Sequence, residues 1–357
     1  MTLELKPIMN TTCKRPILIA GPCSAESEDQ VLETAKGLVD HQIDFFRAGI
    51  WKPRTRPNSF EGVGTVGLKW LKQVKKEFGL KVITEVANQQ HVYQALKYGV
   101  DALWIGARTT VNPFSVQEIA DAIEGVDIPV FIKNPINPDL NLWIGAIERM
   151  HKAGIHQIAA IHRGFSSYGN SNYRNAPMWQ IPIELKRQFP DLPMICDNSH
   201  ICGRRDTLQS VAQKAMDLNF EGLMTETHPN PDQAWSDAKQ QIKPSTYKAM
   251  MKNIIYRSPN AVNTISLQDL ENLRLEIDHL DNELLDLLGK RMMIADDIGQ
   301  YKKSNHMAIL QPNRWEEILK LAIQKGAKKG LSEQFIANFL KAIHQESINH
   351  QEKVMNE

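Results

Sequence analysis

Four side chains in the sequence have the chemistry of a divalent-metal site: Cys23, His200, Glu226 and Asp237. A thiolate, an imidazole and two carboxylates form a mixed soft and hard donor set that accepts Mn2+, Fe2+, Co2+ or Zn2+, with availability deciding among them. Taken singly, each has a plain structural explanation. A cysteine near a strand end is ordinarily a buried thiol, and an aspartate in a loop ordinarily faces water. Placement changes the weighting, because Cys23, His200 and Glu226 each close a short β-rich run and Asp237 lies in the loop after the last such run.

A second group is cationic. Arg47, Lys52, Arg108, Lys133 and Arg163 stand at the ends of four other apolar runs. Lysines and arginines on loops usually serve solubility, but charges at the ends of buried strands cost several kcal/mol in desolvation if nothing compensates them. They are expected to need an anion. Arginine binds phosphate and carboxylate as a fork and lysine as a point charge, so the mixed set suits a small phosphorylated acid. A metal beside it implies polarisation by a Lewis acid.

The elements that must carry these groups are eight apolar runs, at 16–20, 44–48, 81–85, 102–106, 129–133, 157–161, 193–196 and 222–226, separated by helical stretches. Strands alternating with helices indicate parallel βα units, and eight of them predict an α/β fold, a closed (β/α)8 TIM barrel. In such a barrel all strand ends share one face, and the ends of the first, seventh and eighth runs are neighbours. A doubly wound open sheet is the alternative, but the turn Gly21-Pro22-Cys23-Ser24 lacks the GxGxxG fingerprint.

After about residue 255 the period changes. Turn formers at Ser258-Pro259-Asn260 precede Ser266, an expected N-cap, and then Leu270, Leu273, Ile277, Leu280, Leu284 and Leu287 recur at helical spacing. A helix over 266–303 would be about 57 Å long. With helices at about 312–329 and 332–355, this all-α part cannot bury that stripe alone and is expected to intertwine as a homodimer, higher assembly being left open. The predicted organisation is a barrel over 1–255, a linker over 256–264 and a helical domain over 265–357. Arg291 and Lys302, eleven positions apart, share one helix face, Arg274 lies about 100° away, and Ser347 and Gln351 form an i, i+4 pair.

Composition bounds the function classes. The 357 residues are 42% hydrophobic and 23% charged, and 42 Lys+Arg against 41 Asp+Glu leave a formal charge of +1. That is a globular, near-neutral chain with no global case for nucleic acid or an anionic membrane. No apolar run approaches a membrane span, the start lacks a signal-peptide pattern, and the four cysteines show no paired CxxC clusters. A cytoplasmic protein with free thiols is expected.

The ordered motifs Gly21-Pro22-Cys23-Ser24, Lys52-Pro53-Arg54-Thr55, Gly106-Ala107-Arg108-Thr109-Thr110, Cys196-Asp197-Asn198-Ser199-His200, Thr225-Glu226-Thr227-His228-Pro229 and Ser236-Asp237 resemble 3-deoxy-D-arabino-heptulosonate 7-phosphate (DAHP) synthase of the shorter, non-plant type, over about residues 10–255. A relative making an octulosonate phosphate ranks second, because it lacks the Lys-Pro-Arg-Thr motif. The resemblance implies condensation of phosphoenolpyruvate with erythrose 4-phosphate in the shikimate pathway. Cys23, His200, Glu226 and Asp237 would hold the metal, with Mn2+ favoured. Arg108 and Arg163 would grip the phosphate of phosphoenolpyruvate, Arg47, Lys52 and Lys133 would surround its carboxylate, and Arg54 and Thr55 would meet erythrose 4-phosphate. Lys52 and His200, with Glu85 as a weaker candidate, could move the proton. Asn134-Pro135 follows Lys133 where many relatives have a basic Gly-rich stretch, and Ala238 follows Asp237 where Gly is commoner. The extra regulatory domain that some relatives carry before the barrel is not expected ahead of residue 16.

From about 266 to 355, Leu273-Arg274, Lys290-Arg291, Lys302, Arg314, Ser347 and Gln351 resemble the all-helical chorismate mutase, a domain-swapped dimer. By that resemblance Arg291, Lys302 and Arg314 clamp the carboxylates and ether oxygen of chorismate, Arg274 comes from the partner chain, and Ser347 and Gln351 line the pocket. Lys302 and Gln351 would meet the ether oxygen as chorismate becomes prephenate. Trp315 stands where relatives usually have Glu. The expected protein is a bifunctional synthase and mutase. The alternative makes the helical part only a prephenate- or chorismate-binding regulatory and dimerisation module, and inhibition of the barrel through that part is a further expectation.

Overall fold

The computed structural model describes residues 3–9, 16–53, 59–168, 172–257, 264–310 and 312–356. Arg54, Thr55 and the turn residues 258–260 lie outside this set. The eight apolar runs form strands, each within one residue of its expected bounds: β1 Ile17–Gly21, β2 Phe45–Arg47, β3 Val82–Val86, β4 Ala102–Ile105, β5 Val130–Lys133, β6 Ile158–His162, β7 Met194–Asp197 and β8 Gly222–Glu226. They pair in parallel in sequence order, and β1 against β8, from Ile17 beside Gly222 to Gly21 beside Glu226, closes the barrel.

Strands covered on both faces read as continuous apolar runs, which is why their pattern was not alternating. Ile19, Phe45, Ile83, Trp104, Phe131, Ile161, Ile195 and Met224 fill the interior. The opposite faces meet α1 Glu28–Leu38, α2 Val66–Phe78, α3 Gln89–Lys97, α4 Ala107–Thr110, α5 Pro113–Ile123, α6 Leu140–Lys152, α7 Gln180–Gln188, α8 Asn198–Cys202, α9 Leu208–Asp217 and α10 Pro244–Lys252. In α2, for example, Leu68, Leu71 and Val74 are fully buried at helical spacing. Ser27, Asn88, Asn112 and Asp139 cap the starts of α1, α3, α5 and α6 by accepting backbone N–H bonds, each contributing about 1 kcal/mol. Gly21 ends β1 at φ 147°, and a Cβ there would lie 2.1 Å from the Arg47 carbonyl oxygen. Only glycine lets the chain turn from β1 toward Cys23 so close to β2.

The chain divides into compact units at 1–259 and 260–357. The second consists of α11 Thr264–Ser304, α12 Pro312–Ala327 and α13 Glu333–Asn356. Its first helix begins two residues before Ser266, which is therefore inside the helix and not its cap. A Cβ on Gly299 would sit 3.0 Å from the Gln351 Cα, so this glycine admits α13 against α11. Leu273, Ile277, Leu280, Leu284 and Leu287 remain more than half or half exposed along α11.

Candidate active sites

At the C-terminal rim of the barrel, Cys23, Glu226 and Asp237 each offer one donor atom, all within 4.8 Å of one another. The Cys23 thiol donates to Asp237 Oδ2 at 3.2 Å. Asp237 itself has a left-handed backbone, φ 48° and ψ 35°, an uncommon geometry for a residue with a Cβ and one that turns its carboxylate back over the strand ends. His200 stands beside the trio, its Nδ1 3.7 Å from Glu226 Oε1 and 2.9 Å from Asp197 Oδ2. A carboxylate can only accept, so Nδ1 carries the proton and the Nε2 lone pair is left for another partner. Burial lowers the His200 pKa against the pull of Asp197 and Glu226, which favours the neutral ring. Oriented by a carboxylate in this way, an imidazole is prepared as a ligand. The donor chemistry and spacing of Cys23, Glu226 and Asp237 thus fit a divalent ion, and His200, expected as the fourth ligand, lies outside that 4.8 Å group.

Burial also pushes the Cys23 thiol up to about 12, with Glu226 adding to the rise and Lys52 opposing it. Lys52 Nζ is 3.1 Å from Cys23 Sγ and donates to the Cys23 carbonyl at 2.9 Å. Glu226 and Asp237 are both held below their ordinary carboxylate values: burial opposes their ionisation, but His200 and Arg47 outweigh it at Glu226, and His200, Arg174 and Lys52 at Asp237.

The cations are partly answered from within, which corrects the expectation that all five need an outside anion. Arg47 donates to Glu226 Oε1 at 3.0 Å, and Lys133 donates to Asp197 Oδ2 at 2.7 Å. Both lie over the Trp104 ring, at 5.0 and 5.6 Å from its centroid. Asp197, at the end of β7, is fully buried and ionises well below the usual range: burial opposes this, and His200, Lys133 and Arg47 drive it. Arg163 has a different environment. Its guanidinium donates to neutral groups, Asn175 Oδ1 at 2.6 Å and the Gly164 carbonyl at 3.4 Å, and burial lowers its pKa to about 10. Arg163, Arg108, Lys133, Lys52 and Arg174 line one narrow cleft of about 60 Å³ with Glu85, His200 and Asp237. That cleft is cationic where it faces Arg108 and Arg163, and borders the carboxylates at the other end.

Sequence reasoning missed Asp197, Arg174 and Gln240. Asp197 was legible as a carboxylate three positions before His200, a spacing that places both on one turn. Arg174 donates to Asp237 Oδ1 at 2.9 Å and to Gln240 Oε1 at 2.7 Å, while Gln240 donates to Glu226 Oε2 at 2.6 Å. Neither residue belongs to a run or motif, so only the fold brings them in. A buried pair, Glu26 and His228, ties the loop after β1 to the loop after β8. His228 Nδ1 accepts from the Asn230 N–H at 3.0 Å, so Nε2 bears the proton toward Glu26 Oε2 at 3.3 Å, and Glu26 Oε1 accepts from the Trp235 N–H at 2.8 Å.

In the helical unit, Arg291, Lys302, Arg314, Trp315, His344, Ser347 and Gln351 line a cavity of about 380 Å³ with apolar residues of all three helices. Lys302 Nζ donates to Gln351 Oε1 at 2.9 Å and to the Ile309 carbonyl at 2.6 Å. Arg291 donates to the Ser347 hydroxyl, which donates in turn to the Ile343 carbonyl. Arg314 also meets Glu317 at 3.0 Å. Arg274 does not line this cavity; it is exposed and lies 3.4 Å from Glu271.

A closed parallel barrel with a candidate metal group and a cationic cleft at its strand ends, followed by a three-helix unit with its own cationic cavity, defines a two-part (β/α)8 enzyme chain. The chain belongs to the DAHP synthetase I family, whose model matches residues 2–256, and the chorismate mutase type II model matches residues 273–352. It therefore joins a transferase domain to an isomerase domain. It is similar to the phospho-2-dehydro-3-deoxyheptonate aldolase of Thermotoga maritima, 30% identical over 237 residues that cover 66% of this chain and 68% of that protein. A Wolinella succinogenes 2-dehydro-3-deoxyphosphooctonate aldolase is 29% identical over 264 residues, 67% of this chain and 98% of its own. The solved Thermotoga maritima DAHP synthase superposes with a TM-score of 0.61 at 28% identity, covering 67% of this chain and 68% of that one. A truncated form gives 0.60 at 25%, covering 70% and 90%.

Proposed function

We propose that the barrel condenses phosphoenolpyruvate with erythrose 4-phosphate to give DAHP and phosphate, and that the helical unit rearranges chorismate to prephenate. One observation supports the first reading above others: the Cys23, Glu226 and Asp237 group borders the cleft that Arg108, Lys133 and Arg163 line. Buried Arg163, whose partners are neutral, and Arg108 would take the phosphate of phosphoenolpyruvate. Lys133 and Lys52 would face its carboxylate, with Arg47 behind them holding Glu226 and Asp197 in place. The metal, Mn2+ in our reading, would be held by Cys23, His200, Glu226 and Asp237, and would supply Lewis-acid polarisation of the aldehyde oxygen. Lys52 Nζ, at the junction of the cleft and Cys23, is positioned to hold or deliver a proton there. Arg54 and Thr55 are assigned to erythrose 4-phosphate from the sequence motif.

In the mutase reading, Arg291, Lys302 and Arg314 orient the carboxylates and Lys302 with Gln351 meets the ether oxygen. A pericyclic rearrangement needs orientation and charge stabilisation and no nucleophile, and the prearranged Arg291–Ser347 and Lys302–Gln351 pairs supply both. The exposed apolar face of α11 supports a homodimer in which Arg274 completes a partner's cavity. No described helix is long and apolar enough to cross a membrane, and we place the enzyme in the cytoplasm.

The test follows phosphoenolpyruvate consumption with erythrose 4-phosphate before chelation, after it, and after Mn2+ is restored. Activity should vanish and return; activity persisting in the stripped protein refutes the metal assignment. Chorismate turnover that is no faster in wild type than in Arg291→Ala would reduce the helical unit to a binding module.

A further inference from the structure

The helical cavity has an uneven supply of hydrogen-bonding groups. Arg291, Lys302 and Arg314 are donors only. No carboxylate lines the cavity among the described residues. The Gln351 amide oxygen already accepts from Lys302, and the Ser347 hydroxyl accepts from Arg291 while donating to the Ile343 carbonyl. His344 remains. It sits one helical turn before Ser347 and two before Gln351 on α13, so the three share a face. The Trp315 ring lies against it at 4.3 Å between centroids and 34° between planes. Contact on the ring face fixes the imidazole plane and leaves its in-plane nitrogen lone pair uncovered. Burial, and after it the nearby Arg291, lower the His344 pKa, so the ring is neutral and keeps that lone pair.

Resting on the mutase reading above, we propose that His344, braced by Trp315, is a specificity-determining residue that accepts a hydrogen bond from the ring hydroxyl of the bound dicarboxylate. The cations would hold two carboxylates, and His344 would distinguish a substrate bearing a hydroxyl from one without it. Trp315 thereby takes a positioning role, acting through the imidazole.

The experiment compares full-length wild type, His344→Phe and His344→Gln on chorismate and on its analogue lacking the ring hydroxyl, reading both kcat/KM and Kd. Phenylalanine keeps the aromatic contact with Trp315 and removes the acceptor; glutamine restores an acceptor. We expect His344→Phe to lose about 10- to 100-fold on chorismate, to change less than threefold on the analogue, and His344→Gln to regain most of the loss. Equal losses on both ligands would make His344 a packing residue, and no loss on either would remove it from recognition; each result overturns the proposal. If wild type binds chorismate without converting it, catalysis fails while the Kd contrast still decides the role of His344. If wild type neither binds nor converts chorismate, both readings fall.

Discussion

Asp197 and Lys133, 64 residues apart in the chain, form a buried ion pair of 2.7 Å beneath the cationic cleft. The same carboxylate orients the His200 ring and lies 4.0 Å from Arg47, so one missed residue answers two predicted cations and fixes a predicted imidazole.

Replacement of Asp197 by Asn should therefore cost stability in a pH-dependent way. The folded-state pKa of Asp197 is depressed, so its contribution is present above the unfolded carboxylate value and is lost as pH falls from about 4 toward the folded value. Asp197→Asn should lower barrel stability by about 3 kcal/mol at pH 7 and flatten its decline below pH 4. Urea unfolding of wild type and variant from pH 3 to 7 measures both; parallel curves would contradict the assignment.

Cys23 in the metal-free protein should be a slow nucleophile. With a pKa of about 12, on the order of 10⁻⁴ of it is thiolate at pH 8. Alkylation of the Cys23 peptide by iodoacetamide, followed by mass spectrometry, should rise about tenfold per pH unit from 7 to 10 without a plateau. A plateau near pH 8.5 would show an ordinary thiol.

The Glu26–His228 pair should act on metal affinity. Glu26 receives the Trp235 N–H two residues before Asp237, so Glu26→Gln or His228→Phe should loosen the loop that carries this proposed ligand. The Mn2+ concentration giving half-maximal synthase activity should rise about 10- to 100-fold, with the KM for phosphoenolpyruvate nearly unchanged. A shift in KM alone would place the pair in substrate binding.

Buried Lys302, with Arg291 and Arg314 at the cavity, should dominate mutase chemistry. Lys302→Ala leaves Gln351 without its donor and should lower chorismate turnover about 100- to 1,000-fold. Turnover within threefold of wild type would remove Lys302 from the reaction.

The exposed stripe of α11 should govern assembly. Leu280 and Leu284 are 56% and 50% exposed, and Leu280→Glu with Leu284→Glu should convert a dimer to a monomer in sedimentation equilibrium. An unchanged mass would place the interface elsewhere.

The barrel was legible because doubly covered strands write themselves as continuous apolar runs, and because eight such runs alternate with helical stretches. The residues at strand ends were legible by type, as with Lys133 and Glu226. Their pairings were not: whether Lys133 faces an outside anion or Asp197 depends on barrel closure, which no local pattern records. Arg174 and Gln240 lie in loops, where type and spacing carry no period. His344 was hidden differently. One turn before Ser347, it reads as an ordinary helical residue until α12 brings Trp315 against it.

The seam between β1 and β8 has a consequence for biosynthesis. Cys23 emerges from the ribosome 214 positions before Asp237, so the nascent chain cannot bring the proposed metal ligands together until nearly the whole barrel has been translated. Prematurely terminated fragments ending before that seam should neither sequester the ion nor compete with finished enzyme for it.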